Sequence, residues 1–174
     1  LINIKKKNKS LWLNFKIGWF FGLGYFLSNI YWIVYSLTHE EFFKPLIPFA
    51  LVLIPSFLAI FYGVGTLIMS KFKLEKKLSS ILIFSLVFSL IEFLRGFVLG
   101  GFPWNLIAYS WANYLNSLQV LSLIGTYSFN LLTITIFTLP FLIFFEKKLN
   151  KKFFYTIFIL LFLSLNHFYG SWKI

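Results

Sequence analysis

Residues 17–37 read IGWFFGLGYFLSNIYWIVYSL, without a single charged side chain. At 1.5 Å rise per residue, about 20 apolar residues match a hydrocarbon core of roughly 30 Å, so this stretch reads as a helix that crosses a bilayer. Lysines at 5, 6, 7, 9 and 16 lead into it, an arrangement that a secretory signal shares. The apolar run is too long for a signal core and no small-residue cleavage motif follows. We therefore read an uncleaved span.

The same pattern recurs outward along the chain. Residues 46–70 are a second uncharged run, with Pro48 in its first turn and Pro55 in its interior, where a proline kinks a helix. A third span over 78–99 carries Glu92 and Arg95, the only charges inside any apolar run. The stretch 100–117 (GFPWNLIAYSWANYLNS after Gly100) is too broken by Gly100, Gly101 and Pro103 for a simple helix and too aromatic for a soluble loop, so it is placed at the membrane interface and partly re-entrant. Spans over 118–145 and 153–169 complete the chain. The expected architecture is all-α: a polytopic transmembrane helical bundle of about five spans, with residues 1–174 as a single membrane-embedded domain.

Composition agrees. Of 174 residues, 59% are hydrophobic and 12% charged, with a mean hydropathy of +0.83; a soluble domain of this size has no interior large enough to hide that surface. The net charge of +11 would suggest nucleic acid in a soluble protein, but the lysines lie in short runs between apolar stretches, the pattern of membrane loops, and nucleic-acid binding is set aside. The lead contains five lysines, the 71–77 loop four and the 146–152 loop four, against one in 38–45 and none in 100–117. Alternate loops are basic, so the N-terminus is expected in the cytoplasm and the C-terminus on the outer side. With no cysteine in the chain, disulfides and thiolate chemistry are excluded from these residues.

Polar chemistry concentrates at one corner. Glu92 and Arg95 are three apart, so on a helix they share a face. Either they form a self-neutralising pair that pins the helix to the loop beyond, or Arg95 meets a lipid phosphate or substrate headgroup. After them come Gly101, Phe102, Pro103 and Trp104, a sequence suited to a sharp turn with an indole at headgroup level. Tyr109, Trp111 and Tyr114 extend that aromatic surface. The pairs Gly18/Gly22, Gly24/Ser28 and Gly96/Gly100 have the four-residue spacing that lets membrane helices approach closely, although glycine is common in such helices in any case. His39 and His167 are far apart and without plausible co-ligands, so no metal site is read, and no phosphate loop or nucleophile with a base is present. No cofactor is expected.

At this corner the string Glu92-Phe-Leu-Arg95-Gly96, then Gly101-Phe102-Pro103-Trp104, then Tyr109-Ser110, resembles the membrane-domain signature of the apolipoprotein N-acyltransferase family. Gly18-Trp19-Phe20-Phe21-Gly22-Leu23-Gly24-Tyr25-Phe26 with Tyr31-Trp32-Ile33, and Gly125 to Asn130, are similar to two further segments of that family, in the same order. Trp111 departs from it, since the family often has Gln after Tyr-Ser. The resemblance implies a multi-pass protein of the bacterial inner membrane, whose family has eight membrane helices and a periplasmic nitrilase-like domain before the last. It also implies transfer of an acyl chain from a phospholipid to the N-terminal amine of a diacylated lipoprotein, through a thioester on a cysteine assisted by a Glu and a Lys. All three catalytic groups belong to the nitrilase-like domain, so no catalytic residue is expected in this chain, which would be inactive alone. The five spans would be the family's third to seventh, and Leu1 in place of an initiator Met fits a partial chain. Glu92, Arg95, Gly101, Phe102, Pro103, Trp104 and Tyr109 are the candidate residues of the lipid-access side, with phospholipid donor and diacylated lipoprotein as partners through the full enzyme. The competing reading is a non-enzymatic polytopic membrane protein such as a transporter subunit or an assembly scaffold. Transporters show polar or broken midplane segments in paired halves; this chain has one polar corner and no half repeat.

Overall fold

Small residues every fourth position on α1 (Leu11–Asn29) are what allow it to lie against α2 (Ile47–Ser70). Gly18 and Gly22 are buried, and a Cβ on Gly18 would fall 2.2 Å from Thr66 Oγ1 and 2.4 Å from the Tyr62 carbonyl oxygen. Across the same contact Thr66 Oγ1 lies 2.8 Å from the Asn14 carbonyl oxygen, and Trp19 Nε1 donates to the Ser56 carbonyl at 3.0 Å. In lipid, such close backbone approach replaces the hydrophobic effect as the source of attraction. Gly24 and Ser28 are exposed, and nothing lies within 4 Å of a Cβ built on Gly24 or Gly100. Gly18/Gly22 thus sits at a helix contact, whereas Gly24 and Gly100 have open space beside them.

The computed structural model describes residues 11–174. The lysines at 5, 6, 7 and 9, on which part of the orientation argument rests, lie outside the described residues. The described chain is all-α: besides α1 and α2 it forms α3 (Leu78–Arg95), the single turn α4 (Leu115–Leu118), α5 (Leu121–Phe145) and α6 (Leu149–Lys173), with short 3₁₀ segments between them. By length and composition α2, α3, α5 and α6 can each cross a membrane, and α1 together with the 3₁₀ stretch Tyr31–Thr38 makes a fifth element, bent by 50°. The expected run 17–37 is thus a broken element that begins at Leu11. At the break Ser28 and Asn29 turn their side chains back onto the carbonyls of Gly24 and Tyr25, bonds that compete with the backbone's own.

Two compact units are present, one from residues 11–73 and 94–105, the other from 74–93 and 106–174. The first consists of α1, α2 and the turn that follows α3, with Phe26, Leu58, Ala59, Tyr62 and Met69 as its buried side chains. In the second, Ile81 of α3 packs with Ile136, Leu139 and Leu142 of α5 and Tyr155 of α6, and a smaller cluster joins Leu106 and Ala108 to Phe129. Helix α5 is interrupted at Gly125, whose φ of 76° lies where side chains with a Cβ are strained. Near the end of α6, Gly170 comes so close to the single turn α4 that an added Cβ would fall 1.8 Å from the Asn116 carbonyl oxygen.

Candidate functional site

The 3₁₀ turn after α3 belongs to the first unit, and Arg95 organises it. Its side chain is 1% exposed, and Nη1 donates to the carbonyl oxygens of Phe102 at 2.7 Å and Trp104 at 2.8 Å. The guanidinium also lies 5.2 Å from the centroid of the Phe26 ring and 5.9 Å from that of Phe102, within the range of cation–π attraction. The Phe102 N–H returns a bond to the Arg95 carbonyl at 2.9 Å. An arginine suits this task because its several N–H donors are held in one plane, whereas a lysine is a point charge on a flexible stem.

Such a tight return needs residues without a Cβ. Gly100 and Gly101 have φ of 86° and 77°, and a Cβ at Gly101 would lie 2.2 Å from the Gly96 carbonyl oxygen. Pro103 then sets φ before Trp104, which is 54% exposed and meets Trp32 edge-on at 6.2 Å between ring centroids. Asn105 takes up φ 57°, and its carbonyl accepts from the Tyr25 hydroxyl at 3.0 Å. The arrangement thus draws the backbone inward around a buried cation and leaves an indole outward.

Glu92 belongs to the second unit. It is 0% exposed, and its carboxylate accepts from Asn130 Nδ2. Asn130 Oδ1 accepts in turn from the Ala108 backbone N–H at 2.9 Å, so this one amide ties α3 to the 3₁₀ segment Ile107–Trp111. Trp111 Nε1 donates to Thr133 Oγ1 at 3.1 Å, one helical turn further along α5. Tyr109 lies on that segment and is exposed. Of the seven expected residues, Arg95, Gly101, Phe102, Pro103 and Trp104 therefore come together in one turn, while Glu92 and Tyr109 belong to the other unit, one bonded to Asn130 and the other on the segment that Asn130 holds.

Two residues of this arrangement escaped the reading of charges. Asn130 and Thr133 are both fully buried in α5, and the signal was present: an amide inside an apolar span must find a partner, because hydrocarbon offers none. Nothing local, however, says which partner.

The family model of the apolipoprotein N-acyltransferase N-terminal domain matches residues 1–139. The chain belongs to this family. An apolipoprotein N-acyltransferase of Brucella melitensis is 36% identical over 133 residues, covering 76% of this chain and 25% of its own length. That of Rhodopseudomonas palustris is 40% identical over 129 residues, 71% of this chain and 23% of its own, and that of Rhizobium rhizogenes 34% over 131, 75% and 24%. The chain spans about a quarter of the length of these relatives. The family match includes α1 to α3, the Arg95 turn, and α5 as far as residue 139, hence both Glu92 and Asn130. As an apolipoprotein N-acyltransferase membrane domain with four to five helices of spanning length, it is a multi-pass protein of the bacterial inner membrane.

Proposed function

We propose that this chain is the membrane platform of an enzyme that completes bacterial lipoproteins by moving an acyl chain from a phospholipid to the N-terminal amine of a diacylated lipoprotein. The observation that carries the reading is the family match over residues 1–139, joined by relatives named for that reaction. The chain contains no cysteine, so the thioester step falls to residues outside these 174. What the chain contributes is the bilayer-embedded surface beside which donor and acceptor lipids meet the catalytic groups.

In this reading the N-terminus is cytoplasmic and the last residues periplasmic, supported by the alternation of lysine-rich and lysine-poor loops. The turn from Gly101 to Trp104 then lies in the outer half of the membrane. Arg95 acts as a positioning residue: its bonds to the Phe102 and Trp104 carbonyls hold the turn, and the exposed indole of Trp104 meets lipid. Glu92 supports the 3₁₀ segment that carries Tyr109, with Asn130 as the link.

The test uses a full-length polypeptide containing this domain, expressed in cells depleted of their own enzyme, with lipoprotein acylation read by mass spectrometry. The native sequence is expected to restore the third acyl chain. Arg95→Ala and Trp104→Ala should lower acylation at equal protein abundance, and Arg95→Lys should lower it less than Arg95→Ala. Lipoproteins that remain diacylated with the native sequence would overturn the enzymatic reading, and unchanged acylation in both alanine variants would overturn the role of the turn.

A further inference from the structure

At the far end of α3 from Glu92, the fold gathers two lysine-rich stretches that are about seventy residues apart in sequence. Ile81, one turn into α3, packs with Leu142 near the end of α5 and Tyr155 near the start of α6. The ends of the three helices therefore meet, and Lys76 Nζ lies 3.8 Å above the centroid of the Phe145 ring. Lys76, Lys77, Lys147, Lys148, Lys151 and Lys152 share this end of the second unit with two carboxylates, Glu75 and Glu146.

Both carboxylates are engaged locally. Glu75 pairs with Lys77 at 2.6 Å. Glu146 accepts from the backbone N–H groups of Lys147 at 3.0 Å and Lys148 at 3.1 Å, and lies 3.9 Å from Lys151. Among the described residues, no carboxylate lies within ion-pair distance of Lys147, Lys148 or Lys152. Six lysines thus share this end with two carboxylates, and the one carboxylate whose charge acts on Lys148, Glu146, is shared with Lys151.

The surroundings decide what matches them. Phe144, Leu149 and Phe153, next to these lysines in sequence, are 79%, 78% and 67% exposed. A soluble polyanion would leave those side chains in water, whereas a lipid headgroup brings its own acyl chains to cover them. Lysine stems reach from such an apolar band to a phosphate plane, and lysines near an anionic membrane surface are attracted to it. We infer that the end of the second unit formed by Lys147, Lys148 and Lys152 is a binding site for the phosphodiester headgroup of an anionic phospholipid. It is separate from the Glu92–Asn130 region, which lies about 20 Å further along α3 by helix rise.

The experiment incubates the purified 174-residue chain, in neutral detergent, with equal amounts of phosphatidylglycerol and phosphatidylcholine and reads retained lipid by native mass spectrometry. Phosphatidylglycerol should be retained about tenfold over phosphatidylcholine at low salt, and the preference should collapse near 0.5 M salt, where the screening length falls to a few ångströms (about 4 Å). The triple change Lys147→Gln, Lys148→Gln and Lys152→Gln should remove the preference, and the same three changes to Arg should keep it. Equal retention of the two lipids by the unaltered chain overturns the inference, as does a preference that survives the glutamine changes. Displacement of phosphatidylglycerol by inorganic phosphate at matched concentration would make this a free-phosphate site and overturn the lipid assignment. Should the glutamine variant not fold, the salt dependence of the unaltered chain decides.

Discussion

The carboxamide of Asn130 on α5 donates directly to the buried carboxylate of Glu92 on α3. Its other atom accepts from the Ala108 N–H, so one side chain satisfies an acid and a backbone donor that hydrocarbon would leave bare. Asn130→Ala removes both bonds at once. We expect a loss of about 1.5–3 kcal/mol, because one of the two bonds removed is made to an acid. Reversible unfolding in mixed micelles measures it, with Thr138→Ala, at a half-buried hydroxyl bonded only within its own helix, as the reference.

Asn166 on α6 predicts the opposite sign. It is buried, and neither atom of its amide has a hydrogen-bond partner among the described residues. Asn166→Leu keeps the branched shape and the number of side-chain heavy atoms and removes two unmatched polar groups, so stability should rise by about 1 kcal/mol after the cost of its bulkier methyls. A decrease in the same unfolding assay would mean that the amide has a partner in the membrane.

Gly170 should tolerate no side chain. A Cβ there would fall 1.8 Å from the Asn116 carbonyl oxygen and 2.6 Å from its Cα, both backbone atoms that cannot step aside as a rotamer can. Gly170→Ala is expected to cost about 1–3 kcal/mol and to break the neighbouring bond from Asn116 Nδ2 to Ser171 Oγ. Gly24→Ala, where nothing lies within 4 Å, should be neutral or stabilising by up to about 1 kcal/mol.

The adjacent glycines 100 and 101 separate conformation from space. Both have positive φ, so alanine is strained at either by about 1–2 kcal/mol. Only at Gly101 does the new methyl also meet backbone, at 2.2 Å from the Gly96 carbonyl. Gly101→Ala should therefore be the more damaging, and trypsin cleavage after Arg95 in detergent, which requires the turn to open, should be accelerated more by it than by Gly100→Ala.

Glu146 should titrate below the ordinary carboxylate range. The Lys148 backbone N–H bonded to it is the main cause; burial opposes it as the next largest effect, and the Lys147 N–H and the nearby charges of Lys151 and Lys148 add to the lowering. A depressed value in the folded state means that the 146–148 turn is stabilised above the ordinary range and loses that stabilisation as pH falls through the lowered value. Carbon NMR of the Glu146 carboxyl should show the lowered midpoint, and Glu146→Gln should make the local amide exchange of Lys147 and Lys148 independent of that titration.

Which parts of this were readable beforehand follows from the range of the forces involved. The all-α membrane class was legible, because a helix satisfies its own backbone and apolarity over about 20 residues is a local property. The breaks were harder. At the break in the first apolar run Ser28 and Asn29 make side-chain bonds of a kind that are equally common in unbroken membrane helices, and Gly125 carries no local mark that distinguishes it from Gly24, which stays helical.

The chain's long apolar runs were enough to place it in a membrane, and the motifs around 92–109 carried the family. The sequence also set which residues permit a tight turn, since Gly100, Gly101 and Pro103 act through their own backbone restrictions. Tertiary structure alone decided which groups the buried charges meet, Arg95 the Phe102 and Trp104 carbonyls and Glu92 the Asn130 amide, and it brought the two distant lysine stretches to one helical end. The physical reason is that a buried charge in hydrocarbon requires a partner but does not specify one, and the choice falls to whichever dipoles the packed helices bring within about 3 Å.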